Sequence, residues 1–326
     1  MTAATLTSPL DVLKTRLQSD FYQAQLRELH AAHPLPQETS LTSVPRAAYA
    51  HLQETVQILN SIYKHEGFRT LFRGLGANLI GVVPARSINF YVYGNGKRIL
   101  NEHFNPEGRE NVWSIHLAAA AIAGIATGTA TNPIWLVKTR LQLDRNKATN
   151  DPTRGRQYKN SWDVVKQTLR HEGIKGLYRG LSASYLGVTE STLQWVLYER
   201  MKLSLARREA RRVANPKYVR NWVDDTEEWG GKFTAAACAK LFAAVVTYPH
   251  EVVRTRLRQA PTIVTESGRV EMKYTGLIQC FRTVAREEGM AGLYGGMTPH
   301  LLRVVPSAAI MFGMYEVILR LFGTTA

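Results

Sequence analysis

No run of 18 or more apolar residues occurs in this 326-residue chain, and that is the length by which hydropathy alone marks a membrane helix. Cysteine is scarce. Cys238 and Cys280 are the only two, too few for a disulfide framework and in no C-x-x-C or metal-ligand spacing. They are expected to be unpaired thiols in a reducing compartment. There is no G-x-x-x-x-G-K-[ST] loop, no H-E-x-x-H and no nucleophile elbow, so enzyme chemistry, a cofactor and a metal site are not expected. No cleavable signal peptide is visible. Acid is in short supply: 26 Asp and Glu face 41 Lys and Arg, for a formal net charge of +15. That excess suits nucleic acid, an anionic lipid surface or a small anionic substrate. The missing apolar run is the weakest exclusion. A helix lining a watery cavity can carry polar residues on one face and still span a bilayer.

What is present is a pattern repeated three times. Its copies are Pro9-Leu-Asp11-Val-Leu-Lys14-Thr-Arg16-Leu-Gln18, Pro133-Ile-Trp135-Leu-Val-Lys138-Thr-Arg140-Leu-Gln142 and Pro249-His-Glu251-Val-Val-Arg254-Thr-Arg256-Leu-Arg258. The prolines are 124 and 116 residues apart (133 − 9 and 249 − 133). Near-equal long intervals indicate a repeated structural unit. The repeats are expected over 1–105, 106–212 and 213–326. Met1 to Pro9 matches only the end of the segment before Pro133 and Pro249, so the start of the first helix is expected to be missing.

Each repeat has the same parts. A helix rich in small residues comes first: 115–131 in the second copy and 232–248 in the third. Gly124 and Gly128, four apart, allow close helix approach. The proline then predicts a kink. A polar linker follows, long in the first copy (about 19–48) and expected to be an exposed insertion. Short amphipathic helices are expected over 49–65, 161–171 and 275–287. Each ends in an acid and a glycine suited to a left-handed cap, at Gly67, Gly173 and Gly289. The steps Phe72-Arg73-Gly74, Tyr178-Arg179-Gly180 and Tyr294-Gly295-Gly296 lead into second long helices over 75–100, 181–208 and 298–322. The charged stretch 207–229 reads as a solvated loop. The total is an all-α chain of six long and three short helices. Helices are the open-chain way to satisfy every backbone group inside a bilayer.

With its three proline-acid-base-glutamine copies and the Glu-Gly and aromatic-Arg-Gly steps between them, the sequence resembles the mitochondrial carrier family over essentially its whole length. The resemblance implies an all-α membrane protein. Six transmembrane helices and three short matrix helices would form three pseudo-threefold repeats around a central cavity in the mitochondrial inner membrane. It implies antiport by alternating access between two gates, and a monomer. In the matrix gate, Asp11 would pair with Lys138 and Glu251 with Lys14. Trp135 stands where the second acid belongs, which leaves Arg254 without its carboxylate. A cation–π contact with the Trp135 ring would return about 0.5–2 kcal/mol. Gln18 and Gln142 match the braces under the gate, and Arg258 occupies the third brace position. In the cytoplasmic gate the preferred pairs are Lys97–Glu199 and Lys202–Glu316, and the reverse ring would leave only Glu316–Lys97. Arg73 with Gly74, Arg179 with Gly180, and Gly276 look like cardiolipin seats, since helix N-termini beside arginine bind phosphate.

The resemblance also implies a substrate site at mid-membrane depth. Gly187-Val188 is similar to the family's Gly-aliphatic pair for nucleotide substrates. Arg86, near Pro84, and Arg303, near Pro306, offer forked donors at comparable depths. Lys240, among Ala236, Ala237, Cys238, Ala239 and Leu241, is weighed more toward a substrate phosphate than toward a structural pair. Glu190 and Gln194 would read base or ribose, or are ordinary helix polarity. The combination looks most like the pyrimidine nucleotide carrier branch, with folate/FAD or NAD carriers as competitors because Pro-Ile-Trp is shared. A soluble helical-repeat protein binding nucleic acid is the remote alternative. Its usual repeat is 20 to 50 residues, and here the basic residues recur at motif positions instead of forming one patch.

Overall fold

The computed structural model describes residues 2–19, 44–104, 113–144, 158–213, 222–260, 263–264 and 270–303. In chain order these form α1 (Thr2–Leu6), α2 (Ser8–Leu17), α3 (Val44–Glu66), a 3₁₀ turn (Phe68–Phe72), α4 (Leu75–Phe104), α5 (Trp113–Leu143), α6 (Ser161–Leu177), α7 (Leu181–Val213) and α8 (Trp222–Arg258). The strands β1 (Ile263–Val264) and β2 (Val270–Glu271) follow, then α9 (Leu277–Glu287) and α10 (Gly289–Leu293). A last helix, α11, is described over 297–303. The described chain is helical apart from that small antiparallel hairpin, which an all-α reading did not include. The insertion expected over 19–48 lies mostly outside the described residues, and α3 begins earlier than expected, at Val44.

The long helices run through their prolines. Pro84, Pro133 and Pro249 all lie inside α4, α5 and α8. The lost backbone bond therefore does not end the helix. The charged stretch 207–229 is a correction. Residues 207–213 extend α7 and 222–229 begin α8, so only 214–221 lie outside the described residues. Its arginine-rich start and acid-rich end are both helical, which an all-polar run conceals. Among the described residues, one helix, Ser114–Leu143, is long and apolar enough by composition to cross a membrane.

Two glycines per repeat set the turns. Gly67, Gly173 and Gly289 have φ of 84°, 69° and 65°, and Gly74, Gly180 and Gly296 have φ of 81°, 75° and 77°. This is the left-handed region that glycine enters without Cβ strain. The first set follows the acid at the end of α3 and α9, and kinks α6 after Glu172. The second set starts each following long helix. Asn160 caps α6 by accepting from the Asp163 amide at 2.9 Å, a usual N-cap role.

Each repeat builds its own small core from the same motif positions. The residues four and eight beyond each proline are Leu13 and Leu17, Val137 and Leu141, and Val253 and Leu257. They pack on Ile62 and Leu71, on Tyr158 and Val164, and on Tyr274, Cys280 and Val284, respectively. Four-residue spacing puts each pair on one helix face. Ala77 of α4 belongs to the second core and Ala183 of α7 to the third. The start of each long helix is thus packed into the next repeat.

Candidate functional site: a charged cavity

The deepest layer is a set of buried arginine clamps. Seven residues beyond each proline stand Arg16, Arg140 and Arg256, all nearly inaccessible. Each meets the acid that precedes a left-handed glycine. Arg16 grips Glu66 with two bonds of 2.7 and 2.8 Å. Arg140 meets Glu172 at 2.5 Å and also donates to Thr168. Arg256 meets Glu288 at 2.6 Å and donates to the Tyr274 hydroxyl. Paired forks satisfy donors and acceptors together, which makes burial tolerable. In the sequence these acids stand as helix ends only. The signal for more was available: a base seven beyond the proline and a Glu before each glycine recur in all three copies.

Above the clamps lies a layer of cross-repeat ion pairs. Lys138 of α5 contacts Asp11 of α2 at 2.5 Å, and Lys14 of α2 contacts Glu251 of α8 at 2.7 Å. Asp11 also takes Arg303 of α11 at 2.5 Å. Lys138 donates further to Asn78 of α4 at 3.1 Å. Among the described residues, the acid that Arg254 meets is Glu251 of its own helix, at 3.6 Å. The expected contact of Arg254 with Trp135 is corrected. The cation over the Trp135 ring is Lys138, one turn on along α5 and 5.3 Å from its centroid. The indole N–H is held by Thr131 at 3.0 Å, and the ring's far edge faces Gly81 of α4.

The residues at the brace positions link repeats in the same rotational sense. Gln142 accepts from Thr15 at 2.9 Å, and Gln18 accepts from Thr255 at 2.7 Å and donates to Tyr248 at 3.0 Å. Arg258 donates to Asn132 at 2.8 Å and to Ser184 at 2.9 Å. Each lies against a left-handed glycine. A Cβ on Gly74 would meet Gln142, one on Gly180 would meet Arg258, and one on Gly296 would meet Gln18 and the Lys14 carbonyl.

These layers close one end of a cavity of about 1340 Å³. It widens past Gly187 and Val188 to Glu199 and Lys202. Gly124 admits Val188 to the α5–α7 contact, where an added Cβ would stand 2.9 Å from the valine side chain. Gly187, Val188 and Arg303 line the cavity among the expected substrate residues. Arg86, Glu190, Gln194 and Lys240 do not. Lys240 of α8 is bound to Glu190 of α7 at 2.6 Å. These two are joined as a pair, the less favoured of the readings for Lys240. Glu190 lies three residues beyond Gly187, about 60° from it and off the lining stripe of α7. Arg86 is not level with Arg303. Counted from the left-handed glycines Gly74 and Gly296, Arg303 is seven residues along its helix and Arg86 is twelve, a difference of about 7.5 Å. The residue level with Arg303 on α4 is Gly81.

At the open end, Lys97 is exposed, and Lys202 lies 3.8 Å from Glu199 of its own helix. The expected Lys97–Glu199 pair is therefore not formed, because the cavity is open between those helix ends. Glu316, expected to pair with Lys202, lies outside the described residues. The lipid expectation also needs correction. Arg73 spends its donors inward, on Asp144 at 2.5 Å and on the Tyr158 carbonyl at 2.9 Å. Arg179 does likewise toward the Tyr274 carbonyl at 2.5 Å. Each arginine ties its step to the segment before the next short helix, and Arg179 also lines a small pocket with Lys175 and His171. Gly74 and Gly180 are buried beneath the braces, whereas Gly276, at the start of α9, has open space around it. On the short helices, burial pushes the Tyr158 hydroxyl up. The Lys159 amide holds the Asp163 carboxyl low, with help from Gln167.

Repeated helices around a cavity closed at one end by cross-repeat ion pairs define a membrane carrier. The mitochondrial carrier protein family matches this chain over 1–104, 109–209 and 225–326. The chain belongs to that family; it is a transporter of the mitochondrial inner membrane and not an enzyme. It is similar to mitochondrial carrier protein rim2 of Schizosaccharomyces pombe, with 55% identity covering 99% of this chain and 87% of the relative. The mitochondrial pyrimidine nucleotide transporter RIM2 of Saccharomyces cerevisiae is 48% identical over 98% of this chain and 83% of its own length. Solute carrier family 25 member 36 of Gallus gallus is 40% identical over 98% and 93%.

Proposed function

We propose that this chain is an antiporter exchanging pyrimidine nucleotides and deoxynucleotides across the mitochondrial inner membrane. The observation that carries the reading is the excess of cations at the closed end of the cavity: among the described residues, Lys14, Lys138, Arg254, Arg258 and Arg303 face Asp11 and Glu251. A polyanion fits that balance better than folate or a flavin does. The printed function of the Saccharomyces cerevisiae relative points the same way. Asp11–Lys138 and Lys14–Glu251 act as the matrix gate, Gln18 and Gln142 as its braces, and Lys97, Glu199, Lys202 and Glu316 as the opposing gate. Six transmembrane helices and three short matrix helices arise from repeats over 1–105, 106–212 and 213–326. The carrier works as a monomer, with cardiolipin at its short helices and no nucleic-acid partner.

Alternating access follows from the layers. Closing the outer gate requires the matrix pairs to open, and a charge at a helix centre costs about 2.5–3.5 kcal/mol if left alone in the bilayer. The substrate must supply that difference. Reversing a 1:99 equilibrium takes about 5.5 kcal/mol of differential binding. The test is thermal unfolding of the purified chain with candidate ligands. UTP, CTP and TTP should raise the midpoint; stabilisation by folate, FAD or NAD in their place would overturn the proposal.

A further inference from the structure

We propose that Arg254 and Arg258 form the phosphate subsite of the cavity, and that a substrate phosphate takes the place of the carboxylate that Trp135 replaces. This inference rests on the nucleotide reading above and deepens it.

Charge placement carries the argument. Asp11 engages Lys138 and Arg303, and Glu251 engages Lys14. Two cations remain. Arg254 shares Glu251 only loosely, at 3.6 Å. Arg258 is buried at 7% exposure, and among the described residues its side chain holds neutral acceptors, Asn132 and Ser184. A buried guanidinium without a counter-ion is costly. It also lies one helical turn from a second guanidinium, about 6 Å along α8 and on the same face. Both line the cavity. In the other two corners of the layer a carboxylate from the neighbouring repeat fills this position. Here the neighbour is Trp135, whose N–H is turned to Thr131 and whose ring lies under Lys138. The corner facing Arg254 thus has donors and no acid. Phosphate oxygens match forked guanidinium donors in charge and geometry.

The site should therefore discriminate by phosphate number, because a monophosphate reaches one guanidinium and a triphosphate reaches both.

The experiment compares wild type with Arg258→Gln, Arg254→Gln, Arg258→Lys and Trp135→Glu in proteoliposome exchange and in detergent thermal shifts. Either glutamine variant should raise the KM for UTP about tenfold while changing that for UMP about threefold or less. Arg258→Lys should restore part of the UTP preference. Trp135→Glu, which supplies an internal acid, should also weaken UTP selectively. Equal shifts for UTP and UMP in both glutamine variants would overturn the subsite. Arg254 is partly exposed, so its variant keeps the test open if Arg258→Gln does not fold. Inorganic tripolyphosphate separates this inference from the reading beneath it. If wild type exchanges no pyrimidine nucleotide, yet tripolyphosphate stabilises it and not Arg258→Gln, the substrate assignment falls and the subsite stands. If tripolyphosphate stabilises both alike, the subsite falls.

Discussion

Arg258 reaches from α8 to Asn132, the residue before Pro133, at 2.8 Å. Gln18 reaches in the same sense to Tyr248, the residue before Pro249, at 3.0 Å. Two chemically different side chains therefore perform one linkage between repeats, and the first does so while carrying a charge. Asn132 is its fully buried acceptor. Replacing Asn132 with Ala should cost about 1–3 kcal/mol, the penalty of stripping a partner from a buried donor. Thermal unfolding in detergent should show a clearly lowered midpoint; an unchanged midpoint would mean that water or Ser184 suffices.

The arginine clamps are the strongest structural contacts in each repeat. Glu172→Gln leaves Arg140 buried with a neutral partner, and breaking such pairs costs about 3–5 kcal/mol. The loss should appear as a lower unfolding midpoint and weaker expression. An exposed pair such as Lys273 with Glu287 should contribute little by comparison, about 0–1 kcal/mol.

Glycine replacements separate backbone strain from crowding. Gly67 and Gly296 both have positive φ, but a Cβ at Gly67 meets nothing within 4 Å, whereas one at Gly296 stands 2.8 Å from the Lys14 carbonyl. Gly67→Ala should cost about 1–2 kcal/mol from conformation alone. Gly296→Ala should cost distinctly more, since the atom it meets is backbone and cannot swing away. Equal unfolding midpoints for the two variants would contradict the packing described.

Lys240 and Glu190 should behave as a unit. Lys240→Ala and Glu190→Ala should each lower exchange, the double variant should be no worse than either, and the swap Lys240→Glu with Glu190→Lys should recover part of the rate. Strictly additive effects in that double-mutant cycle would show that the two act separately.

Much of this architecture was legible in the sequence, because a thrice-repeated motif carries its geometry with it. The family resemblance carried by the proline, acid and base copies implies Asp11 with Lys138 and Lys14 with Glu251, and Trp135 marks the odd corner. What failed was depth and partner choice. Arg86 and Arg303 both stand near the proline of their helix, but Arg86 is two residues beyond Pro84 and Arg303 three before Pro306, so they differ by five residues in depth, as the count from the left-handed glycines also gives. Lys240 is weighed toward a substrate phosphate over a structural pair because its carboxylate, Glu190, lies fifty residues away on another helix. Arg73 and Arg179 resemble lipid ligands in a linear motif, yet their donors turn inward to Asp144, Tyr158 and Tyr274. The buried Arg16–Glu66 type of clamp went unread because a Glu before Gly also satisfies a simple capping argument. Lys97 and Glu199 could be paired only by assuming a closed outer gate.

The most direct test of the transport assignment is counter-exchange in proteoliposomes loaded with UTP, with labelled UTP, CTP, TTP, folate, FAD and NAD supplied outside. The account predicts rapid uptake of the pyrimidine nucleotides, dependent on internal nucleotide and lost in Lys138→Ala. Uptake of folate, FAD or NAD without pyrimidine exchange would contradict it.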